Sequence, residues 1–234
     1  MKMILLAGGL GTRLKGVIGS IPKPMAPIGD SPFLEYLFTF FKERGAKEFI
    51  VCTGHGGDSI RGYFGEGKRF GLSIKYTIER DLLGTGGAIK LAEAWVDSEH
   101  FFVGNGDTYF EVDLMEMLRF HESHGGIGTL ALVYKEDPGR YGGIACERDN
   151  RIKTFQEKSG ERKPAYINGG MYAFRKDVFR HIPANRVCSL EREILPSLIG
   201  EGLYGFPVEG YFIDIGIPED YEKAKKELPP RRTP

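Results

Sequence analysis

The chain begins with an apolar run that stops abruptly at a glycine-rich loop. The run extends from Met3 to Ala7, and Gly8, Gly9 and Gly11 follow directly. An uninterrupted apolar run bounded by glycine is typical of a strand buried on both faces, as in a parallel sheet covered by helices. Because glycine has no Cβ, backbone N–H groups in such a loop can approach an anion closely. The first residues therefore predict a parallel strand that opens onto a phosphate-binding loop.

Two cations follow this loop at positions fixed by glycine and proline. They are Arg13 and Lys23, the latter between Pro22 and Pro24. An arginine holds phosphate oxygens through its planar fork, and a lysine supplies a point charge. The loop is not the dinucleotide fingerprint, because Leu14 stands where the third glycine is needed. It is not a P-loop either, because the closing Gly-Lys-Ser/Thr is missing. A glycine-rich turn with an exposed arginine is the alternative interpretation.

The composition excludes several classes of partner. The 234 residues contain 32 Lys and Arg against 32 Asp and Glu, so no overall basic field favours nucleic acid or a membrane surface. The cysteines at 52, 146 and 188 are scattered, which favours a reduced cytoplasmic compartment over a disulfide framework or a zinc site. No apolar segment approaches the length of a membrane span. We expect a cytoplasmic protein that recognises phosphate only locally.

Strands alternate with helices through the first half of the chain. Ser31 as N-cap and Pro32 as the first helical residue predict a helix that ends before Gly45. Helices are also predicted over 58–64, 84–95 and 114–121, and strands over 48–53, 72–78, 100–103 and 128–134. This alternation is typical of βαβ units with a parallel sheet.

The second half has a different pattern. Consecutive strands are predicted over 143–146, 152–156 and 165–174, and closing helices over 190–198 and 218–228. The tail, 229–234, is rich in proline and predicts no helix. We expect one domain, 1–228, with a mostly parallel α/β part over about 1–135 that carries the phosphate-binding loop and a more antiparallel part over about 136–228 that lies against it.

The N-terminal motif resembles the signature of the sugar-1-phosphate nucleotidyltransferases, L-A-G-G-x-G-T-R-L followed by P-K-P-M. Within that family the chain resembles the D-glycero-α-D-manno-heptose 1-phosphate guanylyltransferases. The resemblance implies an α/β fold of the nucleotide-diphospho-sugar transferase type: a doubly wound, mostly parallel, Rossmann-like sheet with an added antiparallel sugar-binding portion. It also implies that the nucleotide is bound by Leu6, Ala7, Gly8, Gly9, Gly11, Thr12, Arg13 and Lys23.

Two aspartates are candidate metal ligands. Asp107 follows the predicted strand 100–103, although Asn105 and its glycine neighbours also favour a simple turn. Asp214 lies between apolar residues, so its carboxylate needs a partner, and a cation would serve. Magnesium on nucleotide phosphates takes one or two such carboxylates. The resemblance implies that both aspartates bind Mg²⁺ and that Asn105 lies at the nucleotide; Ile217 departs from the threonine usual in the family.

A carboxylate and a helix start are candidates for recognition of the base. Glu79 closes the predicted strand 72–78, and Gly84 and Thr85 begin a helix whose N–H groups face polar ligands. A carboxylate can accept from both N1–H and N2–H₂ of guanine, whereas uracil and thymine offer one N3–H between two carbonyl oxygens. Glu79 therefore favours GTP. The alternative is that Glu79 only pairs with Arg80 or another nearby cation.

The sugar phosphate is assigned to the second half by resemblance to the family motifs Y-G, E-K and N-x-G-x-Y. These motifs correspond here to Gly142, Glu157 with Lys158, and Asn168 with Gly169. Without the resemblance, Glu157 and Lys158 would be read as an exposed ion pair of little energetic value. None of the five histidines is assigned to metal binding or catalysis.

These assignments predict nucleotidyl transfer from a nucleoside triphosphate to a sugar 1-phosphate with release of pyrophosphate. Arg13 would hold the triphosphate, Lys23 the α-phosphate and Lys158 the sugar phosphate, so that catalysis comes from positioning and charge neutralisation. One alternative is uridylyl or thymidylyl transfer, for example to N-acetylmuramic acid 1-phosphate. Another is a non-catalytic sensor of nucleotide sugars. The sequence is compatible with a homo-oligomer.

Overall fold

A nine-stranded sheet runs through the residues described by the computed structural model, which are 1–9, 11–155 and 163–228. The strands of the molecule are, in chain order, β1 (Lys2–Leu6), β2 (Pro27–Ile28), β3 (Ser31–Pro32), β4 (Glu48–Thr53), β5 (Ser73–Ile78), β6 (His100–Asn105), β7 (Thr108–Phe110), β8 (Gly128–Lys135), β9 (Gly143–Cys146), β10 (Ile152–Phe155), β11 (Ala165–Arg175), β12 (Leu203–Pro207) and β13 (Phe212–Asp214). Two pairs, β2 with β3 and β7 with β13, form separate antiparallel ribbons.

Helices cover the sheet. They are α1 (Lys15–Ile18), α2 (Phe33–Glu43), α3 (Gly57–Phe64), α4 (Gly84–Leu91), α5 (Leu114–His124), α6 (Leu195–Ser197) and α7 (Pro218–Glu227). Short 3₁₀ turns occupy Lys23–Met25, Lys68–Phe70, Glu93–Trp95, Lys176–His181 and Ile199–Glu201, and a π-turn occupies Leu190–Ile194.

The first strand is buried on both faces, as its apolar run predicts. Met3 and Leu5 pack into one hydrophobic cluster together with α2, and Ile4 packs into a second cluster together with α4. The strand lies parallel to β4 on one side and to β6 on the other, and β5 extends the parallel set beyond β4. The predicted α/β fold with a mostly parallel core is therefore confirmed.

The antiparallel strands extend the same sheet. Strand β11 lies antiparallel to β6 and to β8, and β12 lies parallel to β8. One edge of β11 pairs with β8, while the other pairs with β9 near its start and with β6 near its end. The sheet consequently forks along β11. The register of β11 against β8 shifts between Asn168 and Tyr172. At the fork Gly170 has a φ of +71°, and a Cβ on it would lie 2.6 Å from Asn105 Nδ2. Only glycine fits so close to the end of β6.

Three predicted helices differ in detail. Helix α2 starts at Phe33 and not at Pro32, because Ser31 and Pro32 pair with β2 and Pro32 becomes the N-cap; the prediction of Ser31 as N-cap was wrong. The predicted helix 84–95 changes to a 3₁₀ turn after Leu91. The predicted helix 190–198 is a π-turn followed by α6. Pro196 lacks an N–H for the carbonyl four residues earlier, so a regular α-helix cannot continue through it.

The cysteines are free thiols. Cys52 and Cys188 are buried and Cys146 is half-buried. Burial raises the pKa of Cys52 to about 12. Within the described ranges, no helix combines the length and the apolar character needed to cross a membrane.

Candidate active site

A cavity of about 320 Å³ lies at the carboxyl ends of the parallel strands. This is the position at which open α/β sheets bind ligands. The structure brings together here most of the residues predicted to bind nucleotide: Leu6, Ala7, Gly8, Gly9, Lys23, Glu79, Gly84, Thr85, Asn105 and Asp107. Pro24, Leu82, Ala88 and Glu191 also line the cavity and were not predicted. Gly11, Thr12 and Arg13 follow in the same loop but do not line it.

Glycine in the loop after β1 is required by close packing. A Cβ on Gly8 would lie 2.8 Å from Glu79 Oε1 and 3.2 Å from the backbone nitrogen of Gly54. Gly106, at the end of β6, donates its N–H to the carbonyl of Leu6 at 2.9 Å, and a Cβ on it would lie 2.7 Å from that oxygen. The loop therefore lies directly against its neighbours, and its backbone forms the floor of the cavity.

Glu79 is a buried carboxylate at the edge of this cavity. Its Oε2 accepts the N–H of Leu83 at 2.8 Å, which ties it to the turn that precedes α4. Burial raises the pKa of Glu79, and the Leu83 hydrogen bond opposes this shift. Across the described part of the chain, no lysine or arginine forms an ion pair with Glu79. The geometry therefore does not match the alternative in which Glu79 pairs with Arg80.

Lys23 and Asp107 form a short ion pair inside the cavity. Lys23 Nζ lies 2.6 Å from Asp107 Oδ2, and both side chains are largely buried. The stem of Lys23 lies against the glycine loop, because a Cβ on Gly11 would be 3.0 Å from Lys23 Cγ. The predicted phosphate-binding lysine and the predicted metal ligand are therefore in direct contact.

The two candidate metal ligands are brought together by the β7–β13 ribbon. Asp214 lies opposite Thr108 in this ribbon, and the N–H of Ile215 donates to the carbonyl of Asp107 at 3.0 Å. Burial raises the pKa of the Asp214 carboxyl, and the negative charge of Asp107 raises it further. A buried Asp214 carboxylate beside the negative charge of Asp107 is stabilised by a cation.

Arg140 is the main charged partner of Asp214. Its guanidinium lies 3.1 Å from Asp214 Oδ2 and 2.6 Å from Asp220 Oδ2, and it donates to the hydroxyl of Tyr141 at 2.8 Å. Asp214 Oδ1 accepts the N–H of Gly216 at 2.7 Å. Arg140 was not predicted, although it directly precedes the Y-G motif that was recognised.

Arg13 also reaches this side of the site. A Cβ on Gly216 would lie 3.4 Å from the Arg13 guanidinium, so Arg13 packs against the turn that follows Asp214. The Arg13 side chain is exposed, which leaves the guanidinium accessible to a ligand. The loop after β1 and the ribbon carrying Asp214 therefore meet around one space.

The residues present fit a magnesium–nucleotide complex. The described residues contain no group of three or more His, Cys, Asp or Glu side chains that could enclose a metal. Magnesium bound to phosphates needs only one or two protein carboxylates, since phosphate oxygens and water complete its shell. Asp107 and Asp214 match that donor set.

A second cavity of about 800 Å³ adjoins the first. Asn105 and Glu191 line both cavities. The predicted sugar-phosphate residues Gly142, Asn168 and Gly169 line the second cavity, as does Asp214. Glu157 and Lys158 lie outside the described residues, between β10 and β11, and their predicted roles stay predictions.

Sequence reasoning missed the contribution of the segment before and within α6. Glu191, Arg192 and Pro196 line the larger cavity. They were assigned to a closing helix, and a helix at the end of a chain carries no signal of a site. The local sequence held one signal of an irregular helix, a capping serine at Ser189 and a proline at Pro196. In the structure Ser189 caps the turn by accepting the N–H of Arg192 at 3.2 Å.

Comparison with known proteins gives a consistent result. Residues 2–230 match the family described as nucleotidyl transferase. The chain is 43% identical to a D-glycero-alpha-D-manno-heptose 1-phosphate guanylyltransferase of Aneurinibacillus thermoaerophilus, over 97% of this chain and 98% of that protein. It is 41% identical to the protein of the same name from Campylobacter jejuni, over 94% and 97% of the two chains. The crystal structure of HddC from Yersinia pseudotuberculosis complexed with GMP-PN superposes with a TM-score of 0.87 at 35% identity, covering 97% of this chain and 99% of that chain.

Proposed function

The chain belongs to the nucleotidyl transferase family, and we propose that it transfers the guanylyl group of GTP to D-glycero-α-D-manno-heptose 1-phosphate. The products are pyrophosphate and a GDP-heptose. The observation that carries the proposal is the nearly full-length similarity, at 43% and 41% identity, to two proteins named as guanylyltransferases for this sugar phosphate. A guanine nucleotide is also supported by the complex of HddC with GMP-PN.

Glu79 supports guanine as the base. Its carboxylate is buried at the nucleotide cavity and is held by the Leu83 N–H through Oε2. The remaining acceptor capacity suits the paired N1–H and N2–H₂ donors on one edge of guanine. A pyrimidine with one N3–H between two carbonyl oxygens would place lone pairs against the same carboxylate.

The reaction is an in-line displacement at the α-phosphorus of GTP. An oxygen of the sugar phosphate forms a bond to that phosphorus while the bond to the bridging oxygen of pyrophosphate breaks. Arg13, whose guanidinium lies next to the Asp214–Gly216 turn, would hold the triphosphate and stabilise the departing pyrophosphate. Lys23 would leave Asp107 and contact the α-phosphate and the attacking phosphate.

Asp107 and Asp214 would hold Mg²⁺. When bound, the ion neutralises negative charge on the phosphate oxygens. The short β7–β13 ribbon fixes the spacing of the two aspartates, and Arg140 orients Asp214 through its pair with Oδ2. These contacts position the carboxylates before substrates arrive.

The sugar phosphate would occupy the larger cavity. Asn168 is held by its own hydrogen bonds: its amide donates to the Tyr172 hydroxyl at 2.9 Å, and its carbonyl accepts the N–H of Gly170 at 2.9 Å. Gly142 and Gly169 expose backbone at the same wall. Lys158 and Glu157, which follow β10 in the sequence, are proposed to complete this subsite.

A matrix of substrates tests the proposal. Pyrophosphate release would be measured for GTP, UTP, dTTP, ATP and CTP, each with heptose, mannose, glucose and N-acetylmuramic acid 1-phosphates. We expect the highest kcat/KM for GTP with the heptose 1-phosphate. Preference for UTP or dTTP would favour the pyrimidine alternative, and binding without pyrophosphate release from any pair would favour the sensor.

A further inference from the structure

Glu191 lies where the two cavities adjoin, and the roles proposed above do not use it. It lines the nucleotide cavity and the larger cavity, a property that it shares with Asn105. It belongs to the π-turn Leu190–Ile194. Such turns are rare and occur frequently at functional sites. A carboxylate at this junction can affect both substrates.

The carboxylate is held from the nucleotide side. The Thr85 hydroxyl donates to Glu191 Oε2 at 2.7 Å, and the Ser189 hydroxyl donates to the same oxygen at 3.0 Å. Thr85 Oγ1 in turn accepts the N–H of Leu190 at 2.8 Å. Both hydroxyls therefore fix Oε2. No described residue donates a hydrogen bond to Oε1, which leaves that oxygen available to a ligand.

Charge determines which ligand group this oxygen can take. An ionised carboxylate only accepts hydrogen bonds, and it repels phosphate. Its suitable ligand is a hydroxyl. Among the described residues that line the larger cavity, the carboxylates are Glu191 and Asp214, and Asp214 is already assigned to the metal. The charge of Glu191 also reaches Tyr172 in that cavity: burial is the main cause that raises the Tyr172 pKa, and Glu191 raises it further.

We propose that Glu191 is a specificity-determining residue for the acceptor, whose Oε1 accepts a hydrogen bond from a hydroxyl of the sugar 1-phosphate. Thr85 and Ser189 are positioning residues that hold Oε2 and so aim Oε1. Because Thr85 also lines the nucleotide cavity, the link connects the two substrate sites. The inference rests on the proposed function only in requiring a sugar 1-phosphate as acceptor.

Substrate and enzyme can be altered together to test this contact. The wild type and Glu191→Ala would be assayed at saturating nucleotide with the sugar 1-phosphate that the substrate matrix selects and with its monodeoxy analogues. We expect Glu191→Ala to raise the KM for the natural acceptor roughly 10- to 100-fold, the range for a charged hydrogen bond, with the KM for GTP changed less than twofold. For one deoxy analogue, the KM of the wild type should rise by as much as the substitution raises it for the natural acceptor. The KM of Glu191→Ala should be almost the same for that analogue as for the natural acceptor.

A neighbouring glutamate supplies the matched control. Glu193 is on the same π-turn, accepts the N–H of Ser189 at 2.9 Å and pairs with Arg186 at 3.2 Å, and it lines neither cavity. Glu193→Gln should leave both KM values unchanged. Thr85→Val should reproduce part of the acceptor defect, and Thr85→Ser, which keeps the hydroxyl, should not. Thermal unfolding of each variant would detect a loss of folding.

The possible outcomes separate the inference from the proposed function. If the wild type uses no sugar 1-phosphate, the proposed function and this inference both fail. If the wild type turns over an acceptor, and every deoxy analogue raises the KM of the wild type and of Glu191→Ala by the same factor, the inference alone is overturned. If the defect appears as a higher KM for GTP that is matched by dGTP or 3′-deoxy-GTP in the wild type, Glu191 contacts the ribose and the assignment to the acceptor is wrong.

Discussion

Lys23 Nζ lies 2.6 Å from Asp107 Oδ2, so two residues with different proposed partners neutralise each other before substrate binds. In the proposed reaction Asp107 would hold Mg²⁺ and Lys23 would contact the phosphates. The ion pair thus keeps both groups in place in a largely buried position, where an unpaired charge would be costly. Removal of either partner leaves the charge of the other buried and unpaired.

Asp107→Asn should lower kcat by roughly 10³, since it removes a carboxylate from the proposed metal site together with the partner of Lys23. Turnover of the wild type should also stop in excess chelator and return with added Mg²⁺. Pyrophosphate release measured against Mg²⁺ concentration checks both expectations. The control is Asp113→Asn: Asp113 is the N-cap of α5, asparagine caps equally well, and activity should be unchanged. Full activity of the wild type in chelator would contradict the metal assignment.

Arg13→Ala should lower kcat by roughly 10²–10³, the usual cost of removing one preorganised contact to charge that develops in the transition state. The departing pyrophosphate gains charge, so the effect on kcat should exceed the effect on the KM for GTP. Steady-state kinetics with each substrate varied would separate the two parameters. The exposed Arg148, which lines neither cavity, supplies the control variant Arg148→Ala. A higher KM with unchanged kcat would mean that Arg13 binds ground state and transition state equally.

Much of the nucleotide site could be predicted because parallel strands impose a simple rule. Residues that follow β1, β5 and β6 meet at one edge of the sheet, so Gly8, Glu79 and Asp107 could be placed together from strand boundaries alone. The apolar run of β1 was sufficient to indicate burial on both faces, and this was confirmed.

The fork of the sheet and the π-turn could not be predicted in the same way. Pairing of β11 with β6 and β9 depends on register between strands far apart in sequence, and the local pattern of Asn168 and the two glycines after it fits an ordinary turn as well. Glu191 was hidden because helical propensity does not distinguish an α-turn from a π-turn. The contact between Thr85 and Glu191 joins residues 106 positions apart, a distance over which no periodicity gives information.

The buried His121 should make the protein sensitive to mild acid. Burial is the main cause that lowers its pKa from 6.5 to about 4, and the nearby His100 and Arg175 contribute to the same shift. Its Nε2 is buried and forms no hydrogen bond with any residue that the structure describes, and its Nδ1 lies 3.0 Å from the hydroxyl of Thr129. Between pH 6.5 and pH 4 the His121 imidazole is therefore mostly protonated in the unfolded chain and mostly neutral in the folded protein. The free energy of unfolding should fall by about 3 kcal/mol between pH 6.5 and pH 4.

Urea unfolding at a series of pH values would measure this dependence. His121→Gln keeps a polar atom for Thr129 but cannot titrate, so its free energy of unfolding should be lower at pH 7 and should fall less steeply on acidification. His55→Gln, at an exposed position, should retain the wild-type slope. Parallel curves for wild type and His121→Gln would show that His121 does not cause the acid limb.

Glu79 should determine selectivity for the base. The ionised carboxylate of Glu79 can accept from both guanine donors, and charged hydrogen bonds contribute about 1.5–3 kcal/mol each. GTP should therefore exceed UTP in kcat/KM by at least an order of magnitude. Glu79→Gln should reduce this ratio, because an amide both donates and accepts and fits uracil better. Glu66→Gln, at an exposed glutamate outside both cavities, is the matched control. Equal kcat/KM values for GTP and UTP in the wild type would contradict the role of Glu79.

The pH dependence of this selectivity gives an independent check on the same carboxylate. Burial raises the Glu79 pKa above its usual value, so the group takes up a proton at a higher pH than an exposed glutamate would. The protonated carboxyl cannot accept from both guanine donors, and the KM for GTP should therefore rise as the pH falls through the raised pKa. In Glu79→Gln nothing titrates at this position, so that limb of the profile should disappear while the KM for UTP stays nearly constant with pH. If the KM for GTP still rises at low pH in Glu79→Gln, another group causes that rise. Glu79 would then not be the carboxylate that recognises the base.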